Sequence, residues 1–257
     1  MKLSIIIPVN KYTTKEKPLL KKAVSSIYAK DFEYEIVIVG PSSVIKKVDT
    51  EYGKTEHVRL IVNEGKTDVC SQVNLAVESA GDYFSVLEID DWYSKTWFEN
   101  VKKHIDTETE PISLYLPLTE IIDFDDQEAG SIGYVNEAVL ASSFSDRLGF
   151  IDSRCIEDYS NFNLTGGVFK TDDFIEVGKL KASMKLSFWY EYLLRATQLS
   201  KATYVIPKVG YFHTIGRQES LVSTYRREMS EDEANWWMEL ARKEYFFKDD
   251  REKTYEE

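Results

Sequence analysis

Three carboxylates fall within four consecutive positions at Glu88, Asp90 and Asp91, directly behind the apolar pair Val86 and Leu87 in the run SVLEIDDWYS. On a strand, side chains alternate with period two, so Glu88 and Asp90 share a face and Asp91 opens the following turn. Acids this close raise one another's pKa unless a cation neutralises them, and oxygen clusters of this kind suit hard divalent ions such as Mg²⁺ or Mn²⁺. Such an ion, held by one or two carboxylates, completes its shell with water and substrate phosphates. The plainer alternative makes Asp91 a helix cap and the other two solvated loop charges.

Other chemistry-bearing residues lie far away in sequence. In YFHTIGRQESLVS, His213 is a candidate metal ligand, and Arg217 has the planar fork that matches phosphate oxygens. In SFWYEYLLR, Glu191 is a candidate general base, or else a helix residue paired with Arg195 four positions on. Gly166 and Gly167 in NLTGGVFK mark either a bulge or a close approach of ligand to backbone. Asp172 and Asp173 read as first-turn acids of a helix. Cys70 and Cys155 have no paired spacing and read as buried reduced thiols. The aromatic run with Trp236, Trp237, Tyr245, Phe246 and Phe247 reads as a helix packed onto the domain.

The elements that must position these groups are legible from periodicity. Apolar runs at Leu3 to Val9, Tyr34 to Gly40, Val58 to Asn63 and Asp82 to Ile89 alternate with helical patterns at Leu19 to Tyr28, Val44 to Tyr52 and Val69 to Ser79. That alternation predicts a parallel sheet covered on both faces, with ligands beyond the carboxyl ends of its strands. Downstream, helices are expected at Trp97 to Ile105, Val135 to Phe144, Thr171 to Val177, Ser187 to Thr197 and Asp232 to Phe247. ISLYLPLTEII reads as a strand, FNLTGGVFK as a strand interrupted by its glycines, and ATYVIPKVGYFH as two strands broken at Pro207. The tail KDDREKTYEE is expected to fray.

The formal charge of −12 argues against a broad basic surface for nucleic acid. A local groove of Lys170, Lys179, Lys181 and Lys185 stays open. The opening MKLSIIIPVN is too short an apolar run for a membrane helix, so no integral membrane association is expected and the cytoplasm is the expected location.

In order and spacing, SIIIPVNKY (Ser4 to Tyr12), Leu20 with Ala23 and Ser26, EIVIVGPSS (Glu35 to Ser43), the set Asn63, Gly65, Asn74, Ala76, Ala80, Gly81, Asp82 and Tyr83, and VLEIDD resemble the inverting GT-A glycosyltransferases of family 2. The resemblance covers roughly residues 3 to 225. It implies a GT-A, Rossmann-like α/β fold whose mixed, largely parallel sheet has helices on both faces. It also implies a nucleotide diphosphate sugar donor, a UDP-sugar by default, with Mn²⁺ or Mg²⁺ as cofactor. By the same resemblance Pro8 and Val9 line the nucleoside pocket, and Asn63, Asn74, Glu88, Asp90 and Arg217 also serve the donor. Asp90, Asp91 and His213 hold the metal, Gly166, Gly167 and Trp189 face the acceptor, and Glu191 acts as base beside Asp90. Two departures stand out. Gly40 and Pro41 replace the paired acids that contact the base in the family, and Trp189 occupies the position of the family's catalytic Asp.

The expected organisation is a glycosyltransferase domain over 1–225, with a donor half at 1–105 and an acceptor half at 106–225, followed by an aromatic helix and acidic tail at 226–257. Transfer to a hydroxyl of a glycan or polysaccharide is the default, and a modified DNA base is the less favoured acceptor. The missing acids leave a non-catalytic nucleotide-sugar or glycan binder as the alternative. A nucleotidyltransferase would need a glycine-rich phosphate loop after the first strand, and NKYTTKEK has no glycine.

Overall fold

The computed structural model describes residues 1–65, 68–125, 130–218, 220 and 229–246. The tail KDDREKTYEE lies outside them, as do Phe247 and most of the ESLVS segment. The first half alternates as expected. Strands β1 (Lys2–Pro8), β2 (Glu33–Gly40), β3 (Val58–Val62) and β4 (Tyr83–Val86) are separated by helices α1 (Glu16–Ser25), α2 (Ser42–Tyr52) and α3 (Val69–Val77). Asp68 starts α3 by accepting the Ser71 N–H at 2.9 Å.

After the short β5 (Trp92–Tyr93) and α4 (Trp97–Thr107) come β6 (Ile112–Asp123), β7 (Ser131–Val135) and β8 (Phe150–Ile151). Then follow α5 (Ser153–Asp158), β9 (Val168–Lys170), α6 (Thr171–Val177), α7 (Phe188–Gln198), β10 (Ala202–Ile215) and α8 (Glu231–Phe246). The sheet order is β3-β2-β1-β4-β9-β6-β10-β5, with β7 on β6 and β8 on β10. β1 to β4 pair in parallel, β9 runs antiparallel to both its neighbours, and β6 and β10 are again parallel. This is a mixed, largely parallel sheet of the Rossmann-like kind.

Strand alternation builds two cores. Leu3, Ile5 and Ile7 of β1 face a layer containing Leu20 and Ala23 of α1, Val44 and Val48 of α2, and Trp97 and Val101 of α4. Ile6 faces the other side, where Val73 and Ala76 of α3, Phe174 of α6, Leu193 of α7 and Ala241 of α8 pack. A polar clasp ties β1, β2 and β3 together. Glu35 accepts the Ser4 hydroxyl at 2.7 Å and the Arg59 Nε–H at 2.9 Å, with Lys2 as a further ion partner.

Three expectations about elements fail. Val135 to Phe144 is no α-helix: Val135 ends β7, and only Ala138–Leu140 forms a 3-10 turn. Between them Asn136 turns the chain at φ 76°, with its side-chain amide donating to the carbonyls of Pro117 and Asn163. ATYVIPKVGYFH belongs to one strand rather than two. β10 shifts register against β6 between Ile206 and Val209, so Pro207 sits in a bulge where its missing N–H interrupts no ladder bond. The strand predicted over Asp82 to Ile89 stops at Val86, which leaves Leu87 to Asp91 as a loop.

Candidate active site at the carboxyl edge of the sheet

Parallel pairing of β1 with both β2 and β4 puts the ends of these strands at one edge. The Val9 N–H donates to Val39 O at 2.8 Å and the Leu87 N–H to Ile6 O at 2.9 Å, so the segments that follow β1 and β4 leave the sheet side by side. Between them lies a cleft of about 300 Å³ lined by Pro8, Val9, Asn10, Lys11, Glu16, Val69, Glu88, Ile89, Asp90 and Arg217. Five residues separated by more than 200 positions in the sequence, Pro8, Val9, Glu88, Asp90 and Arg217, therefore share one wall.

The carboxylates differ sharply in surroundings. Asp91 is fully buried. One of its oxygens accepts the Tyr211 hydroxyl and His213 Nδ1, each at 2.8 Å, and the other accepts the Thr214 N–H at 2.7 Å. The Thr214 hydroxyl donates to Asp90 O at 2.8 Å. β10 thus holds the acidic loop, and the antiparallel pairs Tyr211 with Tyr93 and Phe212 with Trp92 lock its far side. Asp90 is buried and accepts from Arg217 Nε. Glu88 is half-buried, and its backbone N–H donates to the Tyr211 hydroxyl at 3.2 Å.

Electrostatics follow from this crowding. Burial first, and then the Asp91 charge, push the Glu88 carboxyl up to about 8. The same two causes raise Asp90, against the pull of Arg217. Burial works to lower His213, but the charge of Asp91 and its hydrogen bond outweigh it, and the imidazole rises to about 10.

Glu88, Asp91 and His213 each offer a ligand atom, all within 4.8 Å of one another. Two carboxylates and an imidazole are a donor set that suits Mn²⁺, and Glu88, its carboxyl raised by burial and by the Asp91 charge, is a group a cation would relieve. The residues present therefore fit a divalent ion. The expected trio Asp90, Asp91 and His213 is regrouped, because Asp90 is engaged with Arg217 while Glu88 takes its place beside the other two.

The remaining predicted residues sit elsewhere. The Asn63 side chain accepts the Gly65 N–H at 3.0 Å, turning the loop after β3. Asn74 bonds the Leu180 backbone in both directions, at 2.8 and 3.0 Å, and fastens α3 to the segment after α6. Neither lines the cleft. Gly166 has φ 78°, and a Cβ there would lie 2.2 Å from the Tyr211 ring; one at Gly167 would lie 2.7 Å from Leu116. The close approach these glycines permit is made by the protein's own core, not left open for a sugar. Trp189 stacks on Phe169 with ring centroids 5.6 Å apart.

Glu191 has no exposed surface. Arg195 donates to both its oxygens, at 2.7 and 2.9 Å, and Lys181 lies 2.8 Å away. Arg195 also donates to the carbonyls of Val177 and Lys179. A general base must touch the acceptor hydroxyl, and this carboxylate has no exposed surface from which to do so. The helix-pair alternative is the one the geometry realises. Of the lysine groove, Lys170 pairs with Asp173, Lys179 with Glu78 and Lys181 with Glu191, so these three charges are already spent.

Residues 4–130 match the family model described as Glycosyl transferase family 2. That segment belongs to this family. No curated protein matches its sequence. Among solved structures, it resembles S. aureus TarS 1-349 in complex with UDP-GlcNAc, with TM-score 0.66 and 18% identity over 94% of this chain. It also resembles the mannosyltransferase PcManGT from Pyrobaculum calidifontis in complex with GDP-Man and Mn²⁺, with TM-score 0.60 and 11% identity over 88% of this chain. These likenesses establish the GT-A fold. The chain spans 65% of the TarS structure's length and 60% of the mannosyltransferase's. Among the described residues, no helix is long and apolar enough to cross a membrane.

Tyr211 is the principal site residue the sequence reading missed. It lies two positions before His213 on the same strand, so period-two alternation would have placed both on one face. Asn10, Lys11, Glu16 and Val69 were missed because they carry no distinctive spacing.

Proposed function

We propose that this family 2 protein transfers a sugar from a nucleotide diphosphate sugar to an acceptor hydroxyl, with inversion at the anomeric carbon and with Mn²⁺ or Mg²⁺ bound. The observation that carries the reading is the convergence of Pro8, Val9, Glu88, Asp90 and Arg217 on one cleft at the strand ends. Structural relatives solved with UDP-GlcNAc and with GDP-Man and Mn²⁺ support a nucleotide-sugar donor.

In this reading Pro8, Val9 and Val69 supply the apolar wall for the nucleoside, and Arg217 meets the diphosphate. Glu88, Asp91 and His213 hold the divalent ion, with Asp90 beside them. When bound, such an ion offsets charge on the departing diphosphate. Tyr211 and Thr214 fix the Asp91 carboxylate so that it does not swing during turnover. At Gly40, a Cβ would lie 2.2 Å from Val9 O. The family's acid contact to the base is therefore replaced by backbone, and the base is read by other groups. The donor half is built mainly on 1–105 and is completed by His213 and Arg217, the rest of 106–225 forms the acceptor half, and the segment 226–257 follows it. The acceptor is a glycan hydroxyl, and the place of work is the cytoplasm.

A second reading, a nucleotide-sugar binder without transfer, is favoured by one observation: Glu191 is sealed in its ion pair while Trp189 stacks on Phe169. The experiment that decides is release of nucleoside diphosphate from a panel of UDP- and GDP-sugars in Mn²⁺, with EDTA as control. Metal-dependent release is expected. Donor binding with no release at high protein concentration would establish the second reading.

A further inference from the structure

Gln72 is a polar side chain with no exposed surface. It stands on α3 three residues after Val69, which lines the cleft at the sheet edge, so the two share one face of the helix. Its Nε2 donates to the side-chain oxygen of Asn10, 62 positions earlier in the loop after β1. Asn10 itself lines the cleft, beside Pro8 and Val9. A buried amide holds such a partner firmly, because water does not compete for the bond. With its oxygen engaged by Gln72, the Asn10 amide offers a ligand chiefly its two N–H donors. Lys11, next in the lining, is also a donor. The end of β2 comes so close that a Cβ at Gly40 would lie 2.2 Å from Val9 O, and Pro41 follows, so these two positions bring no side-chain acceptor. Glu16, the lining carboxylate outside the acidic loop, accepts the Thr13 N–H at 2.9 Å and the Thr13 hydroxyl at 2.5 Å, which closes the first turn of α1.

We infer that Asn10, held by Gln72, reads the base of the nucleotide as a hydrogen-bond donor, and so favours a base with a bare ring nitrogen on its pairing edge, cytosine or adenine, over one with a ring N–H there, uracil or guanine. This rests on the donor reading proposed above and names the group that selects the base. A bare ring nitrogen accepts from the Asn10 amide. A ring N–H turned to the same amide sets donor against donor and, once out of water, is left unpaired. Uracil and guanine keep their carbonyl acceptors beside that N–H, so the choice is worth one hydrogen bond and is a preference rather than an exclusion.

The test is calorimetric titration of the full chain in Mn²⁺ with CDP, UDP, ADP and GDP, where CDP and UDP are matched in size, as are ADP and GDP. In wild type, CDP should bind about tenfold tighter than UDP, and ADP about tenfold tighter than GDP, the scale of one hydrogen bond made or left unpaired. This comparison depends on no variant's folding. Asn10→Asp can still accept from Gln72 with one oxygen while offering the other to the base, so it should reverse both orders. Its added charge weighs on both members of a pair alike, and the ratio isolates the edge of the base. Asn10→Ala should bring both ratios close to one. Gln72→Met keeps the bulk on α3 but lets the Asn10 amide turn over, and should move both ratios most of the way to one. A tie that merely fastens α3 to the loop after β1 would instead weaken all four nucleotides equally in Gln72→Met and leave the ratios as in wild type, which overturns the inference. Wild-type ratios at or below one, or ratios that Asn10→Asp leaves unchanged, also overturn it, with the donor reading intact. Failure of all four diphosphates to bind overturns the donor reading, and this inference with it.

Discussion

Asp90 and Glu191 are both carboxylates paired with an arginine, and they teach opposite lessons. Asp90 stands on a loop at the sheet edge, beside a cleft, among acids that raise its pKa. Glu191 lies within α7, where Arg195 is four residues on and bridges it to the Val177 and Lys179 carbonyls. The first pair joins strand ends that meet only through the fold and leaves one face toward a ligand. The second joins neighbours on one helix, fills its own hydrogen-bonding capacity and holds the segment after α6 against α7. An ion pair marks a site when it faces a cavity and a fastening when it does not.

The largest effect should come from breaking the fastening. Glu191→Ala leaves Arg195 buried without its carboxylate and should cost about 3–5 kcal/mol of stability, read as a lowered denaturant midpoint. A variant as stable as wild type would reopen the case for Glu191 as a base. On the other side of the comparison, Asp90→Asn should leave the melting temperature close to wild type yet reduce nucleoside diphosphate release by on the order of 10²–10³, the scale for loss of one electrostatic stabiliser. Equal losses of stability and activity would erase the distinction between the two pairs.

Gly166→Ala should fall between, at about 2–3 kcal/mol of stability, because the new methyl meets the Tyr211 ring and the backbone is left-handed. Since Tyr211 also holds Asp91, Mn²⁺ affinity should fall too. An unchanged affinity would show that the ring yields without disturbing the acid.

The smallest effect concerns a carboxylate with no ligand role. Burial works to raise Glu35, but Arg59, Ser4 and Lys2 outweigh it and bring it down to about 2. Its folded pKa is depressed, so its contribution is complete above the ordinary glutamate range near 4.5 and is lost as pH falls through about 2. Wild type should lose roughly 2 kcal/mol across that window through this group. Glu35→Gln should show a shallower acid transition there, and identical transitions would remove the clasp from the account.

The cleft at the sheet edge was legible because its parts obey local rules. Buried parallel strands read as continuous apolar runs, and loops at their carboxyl ends gather polar residues, and Pro8, Val9, Glu88 and Asp90 do line one cleft at that edge. The part that reads less well depends on contacts made at long range. Asn136 turns the chain at the start of a stretch whose pattern is helical, because its side chain reaches Pro117 and Asn163. Pro207 looked like a strand break until the bulge against β6 absorbed it. Gly166 and Gly167 read equally as a bulge or as room for a ligand, and the space beside them is filled by Tyr211 and Leu116.

By itself the sequence determined the alternation of strands and helices, the sheet edge where acids collect, and the family, since these follow from short-range periodicity and ordered motifs. Only the tertiary structure decided which acid faces which cation. Charges interact over a few ångströms of space without regard to sequence distance, so Asp91 with His213, Asp90 with Arg217 and Glu191 with Lys181 became partners only when β10 and α7 were laid against the rest of the fold.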